Sequence, residues 1–245
     1  QQTAYLYNSI RLFYANGGGA CYILALNTYG GSTNGLEINL EDFIGSATKT
    51  DPFETLKNVY EPTLIVIPDA IALGPVCYTS VYTKALLHCA AMQSCFAIFD
   101  LIHQGPAENT ETVVNDFREK IGTQALNYGA AYYPWLKAAV VQPDEVTFDN
   151  LDTSVDLEKV LPEAAAIQLV KKFKGNKTPD ETTKRNYHLA LKAASPTYNT
   201  LLDAIRLKWN ELPPSGAMAG IYAFIDANYG GWRSPANISM NAVNA

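Results

Sequence analysis

Cysteine, histidine and methionine are scarce in this chain, and the few present are not spaced for metal chemistry. Cys21, Cys77, Cys89 and Cys95 form no CxxC pair, and with only His88, His103 and His188 as imidazoles no spacing matches a zinc site. No metal, cofactor-binding or catalytic residue is therefore expected. Each cysteine lies among apolar or aromatic neighbours, which predicts buried thiols in a reducing compartment. Positive charge is also short: 18 Lys and Arg against 24 Asp and Glu leave a net charge of -6, which supplies no electrostatic footprint for nucleic acid. The one basic run, Lys171-Lys172-Phe173-Lys174, reads as the solvated end of a helix. No uninterrupted apolar stretch approaches the roughly 18 residues of a membrane span. Gln1-Gln2-Thr3 opens neither a basic nor an apolar leader, so no signal peptide is expected and cytoplasmic assembly follows.

Apolar residues are abundant. At 48% of 245 residues they suffice for one large core or two small ones. Leu6, Ile10, Phe13 and Tyr14 recur near helical spacing and predict a helix over about Ala4 to Tyr14. Asn16-Gly17-Gly18-Gly19 then stops the helix and reverses the chain into an apolar strand, Ala20 to Leu26. A phosphate-cradling loop would follow a strand and open a helix, the reverse of this order. After a polar loop from Thr28 to Gly35, short helices are expected over Leu40 to Ala47 and Asp51 to Val59, the second with Asp51 as cap and Pro52 just inside.

Thr63 to Ile67 is a β-branched run ending at Pro68-Asp69. An apolar-faced helix follows over about Val76 to Met92, and Cys95 to Phe99 ends at Asp100. Strand, helix and strand at this spacing predict a right-handed crossover between parallel strands. The fold class expected is α/β: a mixed, largely parallel sheet flanked by helices, with a helical insertion. Asp69 and Asp100 fall at the carboxyl ends of those strands, where α/β enzymes place their chemistry. Two carboxylates there could hold Mg²⁺ or transfer protons in a hydrolase or phosphotransfer enzyme. They could equally cap a helix or turn, and the lack of a P-loop lysine, a nucleophile elbow or a convergent histidine favours that use. His103, alone beyond the second strand, reads as a structural hydrogen-bonding residue.

Asn109 or Thr110 caps a helix to about Lys120, and Thr123 to Tyr133 is a further strand candidate. From Gln142 to Glu211 the pattern turns helical, over Leu161 to Phe173 and Pro179 to Trp209, with a break at Ser195-Pro196. Leu189, Leu201, Ile205 and Leu207 read as packing residues, with a partner-binding stripe as the alternative. The partition expected is 1–141 as the first part of an α/β core, 142–211 as a mostly helical insertion, and 212–245 as the end of the core.

Three blocks resemble one family. Leu212-Pro213-Pro214-Ser215-Gly216-Ala217-Met218-Ala219-Gly220-Ile221-Tyr222-Ala223 runs on to Asp226 and then Gly231-Trp232-Arg233-Ser234-Pro235-Ala236-Asn237. With Ile10 to Gly18 followed by Cys21 to Leu24, and with Ala130 to Leu136, this series is similar to the sheath proteins of contractile phage tails and related injection machines. The resemblance implies a structural subunit that polymerises with its own copies in a helical sheath, around an inner tube protein and in contact with baseplate or cap proteins. It implies no enzyme, no nucleic-acid partner and no membrane insertion, and it places Ala217 to Ala223 as the final core strand. Assembly contacts are expected from exposed insertion residues and from edge backbone near Ala20 to Leu26. The chain departs from the family pattern in its arm before the first helix and in the further domain after Asn237. The expectation is a core region that folds but stays largely monomeric. An adaptor that binds a partner through the insertion is the other non-enzymatic reading.

Overall fold

The computed structural model describes residues 4–26, 38–103, 105, 109–152, 154–176 and 178–244, so the expected Thr28 to Gly35 loop lies outside the described residues. Helix α1 (Leu6–Ala15) ends at Asn16, and Gly17 reverses the chain at a φ of 94° that only glycine adopts without strain. The short helices α2 (Leu40–Ile44) and α3 (Pro52–Leu56) follow, with the Asp51 carboxylate accepting from the Phe53 amide. Strand β1 (Leu64–Val66) leads through a wide turn at Cys77–Tyr82 into α4 (Thr83–Met92) and then β2 (Phe96–Asp100). Helix α5 (Thr110–Ile121), capped by Asn109, precedes β3 (Gly129–Tyr132). The three strands are parallel in the order β1-β2-β3, with Ile65 opposite Ala97 and Ile98 opposite Ala130.

Strand β4 (Leu136–Lys137) comes next, followed by helices α6 (Leu157–Val160), α7 (Ala164–Lys174), α8 (Glu181–Ala194) and α9 (Pro196–Trp209). Strand β5 (Glu211–Leu212) pairs antiparallel with β4, and α10 (Ser215–Asn228) completes the helices. The fold is α/β, with helices on both faces of the parallel sheet. On one face Leu64, Val66, Phe96 and Ile98 pack with Phe13 and the α10 residues Met218 and Ile221. On the other, Ile65, Ala97 and Phe99 pack with Phe43, Phe53 and the α4 side.

The chain divides into two compact units, Gln1–Val140 with Glu211–Ala245, and Val141–Asn210. In the second unit Ser195 caps α9 through the Tyr198 amide while its hydroxyl donates to Glu163 at 2.7 Å. Phe173 stacks on Tyr187 with ring centroids 3.9 Å apart. The amide and carbonyl of Val141 both bond the Asn210 side chain, at 2.9 and 3.0 Å.

Several expectations are corrected. Ala217 to Ala223 is helical, not a strand: an unbroken apolar run carries no period that separates a buried helix from a buried strand. Ala20 to Leu26 joins no sheet, and Ala20 to Ala25 are exposed. The strand predicted over Thr123 to Tyr133 shrinks to Gly129–Tyr132, because Leu126–Tyr128 coil into a 3-10 turn. The apolar stripe of α1 is displaced: Ser9 and Leu12 are buried whereas Tyr14 is 53% exposed, since the helix faces α10. Cys77 and Cys89 are buried, but Cys21 is exposed and Cys95 half-buried. Leu189 and Leu207 are exposed, and the packing of α8 and α9 falls to Tyr187, His188, Leu191, Tyr198 and Leu202.

Candidate functional site

The carboxyl ends of the parallel strands carry the polar side chains of greatest interest. Asp69 follows β1, and its Oδ1 accepts from the backbone amides of Tyr5 and of Leu6, the latter at 3.0 Å. Asp100 ends β2 at 1% exposure, with Oδ1 accepting from the Ser215 amide at 2.7 Å and Oδ2 from the Ser215 hydroxyl at 2.5 Å. Each carboxylate thus meets the amides at the start of one helix, Asp69 for α1 and Asp100 for α10. Those amides have no partner within their own helix, and the positive end of the helix dipole favours an anion there. Burial nevertheless pushes the Asp100 carboxyl up to about 7, against the two Ser215 hydrogen bonds that favour its charged form.

The helices so anchored lie in close contact with each other. A methyl group built on Gly216 would stand 2.6 Å from the Ser9 carbonyl oxygen, and one on Gly220 would stand 2.4 Å from that of Phe13. Any side chain at either position would push the helices apart. Contacts advance in step along both helices, Ser9 with Gly216 and Phe13 with Gly220, so α1 and α10 run parallel, with both N-termini at the acidic strand ends. The third strand joins the group through its last residue, where the Tyr132 and Tyr222 hydroxyls bond at 2.9 Å.

A second cluster borders the first. His103 Nε2 lies 2.9 Å from Glu211 Oε1, and its ring stacks on Trp135. The Trp135 indole donates to the Leu101 carbonyl at 2.7 Å and meets Tyr5 edge to face. Burial, and then the charges of Glu211 and Asp69, push the Tyr5 hydroxyl up to about 12. Behind the sheet, Tyr78 accepts from the Ile102 amide at 2.6 Å and Tyr82 donates to the Asp100 carbonyl at 3.2 Å, fixing the exit of β2.

Chemically this arrangement is a clamp. Asp100 has no solvent access and both oxygens engaged, so it reaches neither substrate nor ion without unlocking α10. Among the described residues no three His, Cys, Asp or Glu side chains gather closely enough to hold a metal ion, and no helix is long and apolar enough to cross a membrane. The structure places Asp69 and Asp100 at the strand ends as expected and assigns them as caps of helices distant in sequence. The Ser215 partnership, the Gly216 and Gly220 contacts and the Tyr132–Tyr222 pair lay outside sequence reasoning. A Pro-Pro-Ser-Gly start followed by glycines four residues apart was the only local signal. No protein-family model matches the chain, and no curated protein is significantly similar to it.

Proposed function

We propose that this chain is a structural subunit of a contractile helical sheath, a polymer that surrounds an inner tube and shortens to drive that tube through a target envelope. The observation that carries the reading is the convergence of three sequence-distant blocks. Ile10 to Gly18, Ala130 to Leu136 and Leu212 to Ala223 supply α1, β3 and α10, which lock together through Gly216, Gly220 and the Tyr132–Tyr222 pair. The residues that carry the resemblance are therefore the ones that make the central layer rigid. Rigidity suits a sheath subunit, because a soft body would absorb the stroke that the lattice generates. Open, heterologous contacts between copies build such a lattice without chemistry from the subunit. Trp232, within the third block, is 84% exposed, and an aromatic of that size on a surface is the kind of residue that anchors protein interfaces.

The α/β hydrolase or phosphotransfer alternative needs Asp69 and Asp100 free to act, whereas both are engaged with helix amides. Assembly in the cytoplasm, before any release in a virion tail or injection particle, belongs to the same proposal. The test is electron microscopy of the whole gene product expressed with its neighbouring genes. Striated tubes in long and short forms are expected, and discrete globular particles that turn over a substrate would overturn the proposal.

A further inference from the structure

The second compact unit, Val141–Asn210, holds a single imidazole, and it lies inside the packing. His188 faces α9 from α8: its Nδ1 is 2.9 Å from the Tyr198 hydroxyl, and the two rings meet edge to face. Both side chains are buried, Tyr198 completely. The same hydroxyl takes a hydrogen bond from the Phe148 amide, in the 3-10 turn Phe148–Asn150. The bonds of that turn engage the amides of Thr147, Asp149 and Asn150 and leave that of Phe148 to the phenol. Phe148 also packs edge to face on Phe173 of α7 and on Tyr187 of α8, so the turn, α7, α8 and α9 all meet around one hydroxyl.

These bonds run in one direction only. A backbone amide is a donor and a phenol carries one proton. The Phe148 amide therefore donates, the Tyr198 oxygen accepts, and the Tyr198 proton goes on to Nδ1. Burial holds the phenol far above its ordinary value of 10.0, so that proton is always present near neutral pH. His188 is then a neutral ring, bare at Nδ1 and protonated at Nε2. An imidazolium donates from both nitrogens and accepts at neither. Proton uptake at Nδ1 would set two protons facing each other and turn the Tyr198 proton into surroundings closed to water, where an unpaired donor is costly. Nearby charge does not offset this. Burial, and then Lys192 one turn along α8, hold His188 below its ordinary value of 6.5, and Asp149 in the turn opposes them by less. Tyr187, the other titratable group of the cluster, keeps its proton because burial pushes it up to about 12.

We infer that the Phe148 amide, Tyr198 and His188 form a one-way hydrogen-bond relay that makes the helical unit an acid-sensitive latch, closed at neutral pH and loosened between α8, α9 and the Phe148 turn when His188 takes up a proton. The sign follows from linkage. A base held below its unfolded value binds fewer protons in the native state, so the latch is at full strength above about pH 6.5 and weakens as pH falls through that value. Asp100, in the first unit, responds to pH in the opposite sense. The inference stands independently of the sheath reading.

Two measurements on the whole chain test it. Nitrogen NMR of the imidazole that contacts the Tyr198 ring is expected to show, at pH 7.5, a neutral ring with its proton on Nε2, and protonation only below pH 6.5. Hydrogen exchange followed by mass spectrometry is expected to show protection of α8 and α9 falling roughly three- to tenfold between pH 7.5 and pH 5, after correction for intrinsic rates, while α10 keeps its own. His188→Gln leaves a side-chain oxygen to accept from Tyr198 without a titrating ring, and it is expected to remove that fall. A neutral ring with its proton on Nδ1, or protonation at or above pH 6.5, would overturn the inference in the unaltered protein. So would protection of α8 and α9 that does not change with pH, or an acid-induced fall that persists in His188→Gln.

Discussion

A carboxylate at 1% exposure that holds a helix start is pulled in two directions: burial disfavours its charge, and the Ser215 amide and hydroxyl favour it. For Asp100 burial prevails and lifts its pKa from the ordinary 3.8 to about 7. A folded-state pKa above the unfolded value means that the native state holds the proton more tightly. The associated stability is complete below about pH 4 and is lost as pH rises through about 7, a difference of roughly 4 kcal/mol by linkage. Asp100→Asn keeps an acceptor for the Ser215 amide and a donor for its hydroxyl without the charge. Urea denaturation across pH 4.5 to 8 is expected to show the variant gaining on the unaltered protein as pH rises. Parallel pH profiles for the two proteins would mean that the hydrogen bonds, and not burial, control this carboxyl. The position of Asp100 at a strand end was legible from sequence, because a short apolar run closed by an acid is a local pattern. Its partner was not, since Ser215 lies 115 residues away.

Between elements, the α1–α10 contact sets two opposing effects of one substitution against each other. Gly220→Ala raises helix propensity by about 1 kcal/mol, but it drives a methyl group to 2.4 Å from the Phe13 carbonyl oxygen, on backbone that cannot rotate away. Overpacking of this kind costs typically about 1–3 kcal/mol, so a net loss of stability is expected in thermal or urea unfolding. A gain would show that the two helices separate without penalty. The resemblance placed Ala217 to Ala223 as a strand, and the segment's own pattern offered nothing to correct it. Apolar on every side and enclosed between α1 and the sheet, the segment shows neither the 3.6-residue nor the two-residue alternation from which an element is read. By contrast, the cap at Asp51 and the break at Ser195-Pro196 were readable in advance, because proline and capping side chains act on backbone within a few residues of themselves.

At the scale of the whole molecule, the insertion leaves and returns through neighbouring positions of the first unit, where Lys137 is paired with Glu211 and Leu136 with Leu212. Replacing 141–210 with a short Asn-Gly turn across that antiparallel pair is expected to leave a chain that still unfolds cooperatively, with a denaturant m-value reduced roughly in proportion to the residues removed. A chain that loses cooperative unfolding would show that the first unit depends on the second. The sequence by itself determined the α/β class, the crossover between β1 and β2, the helical character of the stretch between β4 and β5, and the acids at the strand ends. Each follows from periodicity, capping or turn chemistry that acts within a few residues. Tertiary structure alone decided that α10 is a helix, that its glycines meet the backbone of α1, and that Asp69 and Asp100 serve as caps for those two helices. Each of these depends on which distant segment fills the space beside a residue, and close packing, not local propensity, makes that choice.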